Sequence, residues 1–94
     1  MRLEQIIASS CRQKILLTLA KIEKTHVTQL VRMINSTYNE VRRNLEILHD
    51  EGIVKFTLCG NMKVVELQRD NQKTEKLLMV LRTLQHQDAS NIKK

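Results

Sequence analysis

The residues best suited to chemistry form a short run in the middle of the chain. Asn39, Arg42 and Arg43 recur three and four residues apart, so on a helix they share one face. Arginine can donate two hydrogen bonds to guanine O6 and N7, and asparagine can pair in the same way with adenine N6 and N7. Thr37 and Tyr38 lie at the leading edge of this face. The pattern predicts contacts with base edges in the major groove of double-stranded DNA.

Two flanking segments extend the predicted DNA contact. Thr28 and Gln29 open a short helix, and helix N-termini commonly contact phosphates. Asn61 and Lys63 lie in or beside a hairpin turn that has no arginine at its tip, so we do not expect deep entry into a minor groove. The expected DNA-binding residues are Thr28, Gln29, Thr37, Tyr38, Asn39, Arg42, Arg43, Asn61 and Lys63.

These assignments have structural alternatives. Arg42 and Arg43 could form an ordinary solvated helix face, with Arg43 pairing with Glu40 or Glu46. Tyr38 suits packing against the preceding turn as well as contact with a base or phosphate. Thr28 suits the role of a helix N-cap better than that of a phosphate ligand.

The other reactive side chains are sparse. Cys11 and Cys59 are too few for a structural zinc site, and we interpret them as free thiols in a reducing compartment. A redox-responsive pair is the alternative, with Cys59 the more accessible thiol. No glycine-rich phosphate loop, nucleophile elbow or recognisable carboxylate pair occurs. We therefore expect no enzymatic activity, cofactor, metal or small-molecule ligand.

Composition limits the chain to a small basic domain. Its 94 residues predict a single domain over 1–94, with a core over about 9–68. The net charge is +6, and residues 1–43 hold eight of the 16 Lys and Arg but only three of the 10 Asp and Glu. Such a basic balance favours phosphate or anionic-membrane partners. Because the apolar runs are short and no signal peptide appears, we expect a cytoplasmic protein without a membrane partner.

Apolar spacing predicts a helix over residues 10–24, preceded by a short helical arm within 1–9. Ser10 and Gln13 form a predicted capping box at its start. One face holds Cys11, Ile15, Leu19 and Ile22. The helix is apolar around much of its circumference, and an extended link over 25–27 follows.

Two further helices are joined by a tight turn. Thr28 is the predicted cap of a short helix over 29–34. Asn35 follows, and asparagine tolerates the left-handed conformation that ends a helix. A longer helix over 38–51 begins after Thr37, which forms a predicted capping box with Glu40. Its inner stripe is Val41, Leu45 and Leu48.

A hairpin follows this third helix. Gly52 ends the helix as a C′ glycine. The β-rich runs over 53–58 and 63–67 flank Gly60 and Asn61, which suit a type II′ or I′ turn. The predicted fold class is therefore mainly α with a small β-hairpin, in the order helix, helix, helix, strand, strand, helix.

At this point the chain resembles the winged helix-turn-helix regulators of the ArsR/MarR-like group of bacteria and archaea. Residues 41–54 look like the group's V-x-x-x-L-x-x-L-x-x-x-G-[IL]-V pattern, and residues 12–16 resemble its R-x-x-I-L. The resemblance spans roughly 9–67 and implies a transcription regulator with helix 38–51 in the major groove. Metal-sensing members carry cysteine pairs, or histidine and acidic residues on the last helix. Here the last helix has only His86 and Asp88, which are too sparse for a site.

The last helix, predicted over 71–87, is the candidate dimer element, and a frayed tail over 88–94 follows. The expected dimer interface combines the arm, the first long helix and this helix: Leu3, Ile6, Ile7, Leu17, Leu77, Val80, Leu81 and Leu84. In the alternative, Leu77, Leu81 and Leu84 fold back onto the protein's own first helix. A homodimer would present two recognition helices about 34 Å apart to a near-palindromic site.

These observations predict a homodimeric, sequence-dependent transcriptional regulator that binds double-stranded DNA. Two alternatives stay open. A winged helix can act as a protein-interaction module in a transcription assembly. The chain could also be a redox-responsive regulator that uses Cys11 or Cys59.

Overall fold

The computed structural model describes the backbone of residues 1–92 and the side chains of residues 1–84. Within this part, five helices and three strands follow in the order α1 (Leu3–Ile6), α2 (Ser10–Ile22), β1 (Lys24–His26), α3 (Val27–Met33), α4 (Tyr38–Asp50), β2 (Val54–Cys59), β3 (Met62–Leu67) and α5 (Gln72–Ile92). The predicted fold class, mainly helical with a small hairpin and a short N-terminal arm, is confirmed.

A single cluster of buried apolar side chains holds the helices and strands together. Its centre is α2, where Ile15, Leu16 and Leu19 have no exposed surface. Leu77 and Leu78 of α5 lie in the same cluster. Each such side chain contributes about 1.5–3 kcal/mol on burial, so α2 is the element against which the others are stabilised.

The sheet has one strand more than the sequence predicted. β2 and β3 form the expected antiparallel hairpin, and β1 pairs with the other edge of β3, giving the order β1-β3-β2. Val65, in the central strand, lies opposite Thr25 on one side and Phe56 on the other. We expected only an extended link over 25–27. A three-residue strand has no local signature, because its partner lies about 40 residues away in the chain.

Two predicted helix caps are wrong. The hydroxyl of Ser9, rather than that of Ser10, accepts a hydrogen bond from the Arg12 amide at 3.3 Å and caps α2. Thr28 does not cap α3, because β1 runs directly into this helix. His26 occupies the cap position without a side-chain hydrogen bond.

The last helix is longer than predicted. α5 continues beyond residue 87 to Ile92, since 88–92 contain neither glycine nor proline to stop it. Of the predicted frayed tail over 88–94, residues 93 and 94 lie outside the described residues. None of the described helices is both long enough and apolar enough to cross a bilayer.

One asparagine joins the end of α4 to the start of α5. The side-chain nitrogen of Asn71, Nδ2, donates to the carbonyl of Gly52 at 2.8 Å and to that of Glu51 at 3.3 Å. Its side-chain oxygen accepts from the backbone N–H of Lys73 at 2.8 Å. Asn71 therefore satisfies carbonyls at the end of one helix and an N–H at the start of the next.

Gly52 provides a test of this joint. Its φ is +76°, and a Cβ placed there would lie 2.8 Å from Asn71 Nδ2. Gly52→Ala should therefore destabilise the fold by about 2 kcal/mol or more, combining the left-handed penalty with loss of the Asn71 bonds. Equilibrium urea unfolding measures the change. The matched control is Gly60→Ala, where φ is +65° and no atom lies within 4 Å. Equal destabilisation by the two variants would contradict the role of Asn71.

Arg12 joins three helices through one guanidinium group. Its Nε donates to the carbonyl of Ile6 at 2.8 Å and its Nη2 to that of Gln5 at 3.0 Å. Its Nη1 donates to Asn44 Oδ1 of α4 at 2.8 Å. The amide of Asn44 in turn donates to the carbonyl of Glu40 at 2.8 Å. The arm, α2 and α4 are thus fixed relative to one another by this side chain.

Removing the guanidinium while keeping the aliphatic stem tests this connection. Arg12→Met should lower the free energy of unfolding by about 2 kcal/mol, because it leaves part-buried carbonyls and Asn44 without their charged donor. Urea denaturation followed by circular dichroism measures it. Lys14→Met, at an exposed position two residues further along α2, serves as the control and should change stability by less than about 0.5 kcal/mol. If both variants have the same midpoint urea concentration as the wild type, the hydrogen bonds of Arg12 do not stabilise the fold.

Candidate nucleic-acid interface

A tight turn separates α3 from α4. Asn35 has a φ of +56°, the left-handed conformation expected for it. The backbone N–H groups of Asn35 and Ser36 donate to the carbonyls of Arg32 and Val31, both at 3.2 Å, and close the end of α3. The hydroxyl of Thr37 then accepts from the Glu40 amide at 3.2 Å and caps α4, as predicted. This turn places the two helices in contact, in the helix-turn-helix arrangement.

The two faces of α4 differ sharply. Val41, Leu45 and Leu48 are buried in the core, which confirms the predicted inner stripe. The opposite side, which we call the outer face of α4, consists of Asn39, Arg42, Arg43 and Glu46, all of them exposed. Burial of the stripe fixes the rotation of α4, so these four side chains must point away from the protein.

The two arginines of the outer face have different partners. Arg42 Nη1 donates to Glu46 Oε1 at 2.9 Å across one helical turn. Glu40, the other acid proposed as a partner for Arg43, instead accepts a hydrogen bond from the hydroxyl of Ser36. Among the described side chains, none forms an ion pair with Arg43. The guanidinium of Arg43 is therefore available to an external anion.

The remaining predicted contacts lie on three elements. Thr28 and Gln29 are exposed in the first turn of α3. Tyr38 is 46% exposed at the start of α4, so packing against the turn leaves much of its ring accessible. Asn61 lies exposed at the hairpin tip. Lys63 is also exposed, and its Nζ lies 4.5 Å from the centre of the Phe56 ring, which holds this ammonium group on the hairpin.

Sequence reasoning missed several exposed side chains near these positions. Arg32 of α3 is an exposed cation. Lys55 of β2, which the sequence placed with Lys63 on the hairpin, is exposed and lies 3.7 Å from Glu66. Leu58 and Met62, beside the hairpin turn, are exposed large apolar residues, Leu58 to 75%. Strand alternation would have placed Leu58 on the core-facing side with Val54 and Phe56, and it is exposed because the hairpin tip extends beyond the core.

The two thiols lie in different environments. Cys11 is buried in α2, and desolvation, followed by the charge of Glu40, raises the pKa of its thiol. Cys59 is exposed at the end of β2. A raised pKa leaves less of the reactive thiolate, so a redox role would fall to Cys59 rather than Cys11. Within the described part of the chain, no three His, Cys, Asp or Glu side chains are grouped to hold a metal ion. The side chains of His86 and Asp88 lie outside the described residues.

The predicted dimer residues fall into three groups. Ile6, Leu77 and Leu81 are buried in the core of this chain. Leu3, Ile7 and Leu17 are partly buried and pack against that core. Val80 and Leu84 are 38% and 41% exposed on α5, next to exposed Met79. The apolar surface that α5 leaves uncovered is thus narrower than the leucine spacing predicted.

The fold matches solved structures of transcriptional regulators. The AntR antimony-specific transcriptional repressor aligns with a TM-score of 0.82 and 21% identity, over 98% of this chain and 78% of that one. The transcriptional repressor PagR of Bacillus anthracis aligns with a TM-score of 0.69 and 23% identity, over 84% and 87% of the two chains. An ArsR family transcriptional regulator gives 0.65 and 14%, over 94% and 87%. No protein-family model and no curated protein sequence matches the chain.

The matched proteins are transcriptional repressors or regulators. At such low identity, a structural match establishes the fold. The chain therefore has the winged helix-turn-helix fold that these solved structures share, as the residues at 12–16 and 41–54 predicted.

Proposed function

We propose that the protein is a homodimeric transcriptional regulator that binds double-stranded DNA with α4 in the major groove. The observation that carries this proposal is the outer face of α4. This face contains Asn39, which can form two hydrogen bonds with adenine, and Arg42 and Arg43, which can each form two with guanine. All three side chains are exposed in the N-terminal half of α4. The matched repressors support the same function.

The geometry of α4 favours this use of its N-terminal half. Val41 and Leu45 anchor the helix from behind, so its exposed side can enter a groove without unfolding any part of the core. The positive end of the helix dipole lies at Thr37 and Tyr38, where it attracts phosphates. Arg43 lies further along α4. Among the described side chains it forms no ion pair that would have to break before it binds DNA.

Two elements beside α4 supply contacts with phosphates in this proposal. Thr28 and Gln29 lie at the exposed start of α3, where backbone N–H groups are free to meet a phosphate. Lys63 and Asn61 belong to the hairpin, the wing of this fold. Since the wing tip carries Leu58 and Met62 in place of arginine, its electrostatic contribution is small.

A second copy of the chain is the proposed partner of α5. Met79, Val80, Thr83 and Leu84 line a shallow apolar groove of about 300 Å³ on the exposed side of this helix. In the dimer, these side chains and half-buried Leu3, Ile7 and Leu17 would be covered by their symmetry-related copies. The two recognition helices would then meet successive major grooves about 34 Å apart.

The competing function is a protein-interaction module. Exposed Leu58 and Met62 favour it, because apolar residues at a wing tip can pack against another protein. Such a module would have no salt-dependent affinity for DNA, so the titration below separates the two functions.

The first test is DNA binding by variants of α4. A labelled duplex, selected by the wild-type protein from a pool of randomised sequence, is titrated by fluorescence anisotropy at several salt concentrations. Arg43→Ala should weaken binding by about 1–3 kcal/mol, the discrimination supplied by one bidentate base contact. Arg42→Ala/Arg43→Ala should weaken it further.

The control for this titration is Lys21→Ala. Lys21 is an exposed cation near the C-terminal end of α2, outside α3, α4 and the hairpin. Its loss should change the dissociation constant by less than about twofold at moderate salt. Failure to select any duplex, or equal weakening by Lys21→Ala and Arg43→Ala, would reject α4 as the DNA-contacting helix.

The second test is the oligomeric state. Light scattering after size exclusion should give twice the monomer mass of 11.0 kDa for the wild-type protein. Leu84→Glu should shift the equilibrium to the monomer, because it places an unpaired charge in the apolar interface. Leu58→Glu, an identical change at an exposed leucine of the hairpin, should leave the dimer intact. A monomeric wild type, or a dimeric Leu84→Glu variant, would contradict the proposed interface.

A further inference from the structure

The outer face of α4 contains an acid. Glu46 follows Asn39, Arg42 and Arg43 at spacings of seven, four and three residues, so it lies on the same helical stripe. Its carboxylate accepts a hydrogen bond from Arg42 Nη1 at 2.9 Å. The side chains of Arg42 and Glu46 are 53% and 55% exposed, so the pair lies at the surface that the proposed function directs at DNA.

The other acids near α4 have partners elsewhere or lie further from the two arginines than Glu46 does. Glu40 accepts a hydrogen bond from Ser36 on the side of the turn. Glu51 is held by Lys73 at 2.8 Å and by the amino terminus at 3.2 Å. Asp50 lies one turn beyond Glu46, at the last residue of α4. Among the described residues, Glu46 is therefore the carboxylate nearest to the two arginines along the outer face.

A carboxylate in this position opposes DNA binding in general. It repels phosphates, and it neutralises one of the two cations that would otherwise attract them. As an exposed pair one helical turn apart, Arg42 and Glu46 add little to the stability of the fold. The main physical effect of Glu46 therefore falls on how Arg42 meets DNA.

We propose that Glu46 is a specificity-determining residue, which orients Arg42 toward base edges and withholds it from phosphates. The inference rests on the proposed function of α4. The bond to Glu46 occupies Nη1 of Arg42 and leaves the Nε–H and Nη2–H groups, the fork that can meet O6 and N7 of a guanine. A guanidinium fixed in this way loses less side-chain entropy when it binds a base than a free one.

The same carboxylate penalises incorrect sequences. On DNA without a guanine in register, Arg42 gains no base contact, and Glu46 still faces the phosphates. Specificity is a difference between two affinities, so a group that weakens binding to all other sequences increases it. Without Glu46, Arg42 could rotate to a phosphate and add one salt-dependent contact to binding at any sequence.

The experiment compares Glu46→Gln with the wild type on two probes. The first is the duplex that the wild-type protein selects from a pool of randomised sequence, and the second is the unselected pool itself. Dissociation constants are measured for both probes over a range of salt concentrations. The matched control is Asp50→Asn, which removes the same charge from the same helix one turn further along. Thermal unfolding of each variant verifies that the fold is retained.

We expect Glu46→Gln to bind the unselected pool about fivefold more tightly, with a slope of log K against log salt that is steeper by about 0.9, the value for one added phosphate contact. Affinity for the selected duplex should change by less than about twofold, so the ratio of the two affinities should fall by about 2.5-fold or more. Asp50→Asn should leave this ratio near the wild-type value.

Suppose that the wild-type protein selects a duplex but Glu46→Gln leaves the ratio of the two affinities unchanged. Without contradicting the proposed function, this result would overturn the role of Glu46. An equal fall of the ratio in Asp50→Asn would also overturn it, because the effect would then be one of net charge. If the wild-type protein selects no duplex, the proposed function and this inference are both rejected.

Discussion

The orientation of the candidate DNA-binding surface depends on the hydrogen bonds of Arg12. A guanidinium presents its donors in one rigid plane, so the carbonyls of the arm and the side chain of Asn44 can be satisfied together only if α1, α2 and α4 keep their relative positions. Asn44 lies next to Arg43 in α4, and its amide also bonds the carbonyl of Glu40. The link from Arg12 thus reaches the same helical turns that carry the outer face. Burial of Val41, Leu45 and Leu48 fixes the rotation of α4, and the hydrogen bonds of Arg12 add a directional constraint on its position relative to the arm and α2.

The opposite end of α4 is held by polar groups of a different kind. Asn71 bonds the carbonyls of Glu51 and Gly52, and the carboxylate of Glu51 accepts from Lys73 and from the amino terminus. Hydrogen bonds from these two ammonium groups, that of Lys73 first, lower the pKa of Glu51. Because the folded pKa is depressed, this contribution to stability is present above the unfolded value near 4.3 and is lost as the pH falls through the folded one.

Local sequence patterns predicted most helices and strands and the outer face of α4. Contacts between segments distant in the chain became known only from the structure. The spacing of Val41, Leu45 and Leu48 determined which side of α4 is buried, and therefore which residues face outward. Thr37 caps a helix and Asn35 adopts the left-handed conformation through interactions with residues close to them in the chain, so both roles were predictable. The strand β1 was not, because it depends on pairing with β3. Leucine spacing on α5 could not distinguish Leu77, which completes this chain's own core, from Leu84, which is exposed. The role of Arg12 was also missed, since the sequence does not show which carbonyls it meets.

The distribution of charge along α4 has a consequence for binding that the net charge of +6 does not convey. Glu51 is neutralised within the fold and Glu46 is shared with Arg42, so Arg43 is the arginine of the outer face without an ion-pair partner among the described side chains, and the helix dipole adds to its positive field. A surface with so few free cations binds DNA weakly through phosphates alone. High affinity then requires direct contacts with bases, or two copies of α4 acting on one DNA molecule. In the proposed function, the modest charge of α4 and the uncovered apolar strip on α5 are thus physically connected, because a domain that binds DNA weakly alone gains most from dimerisation.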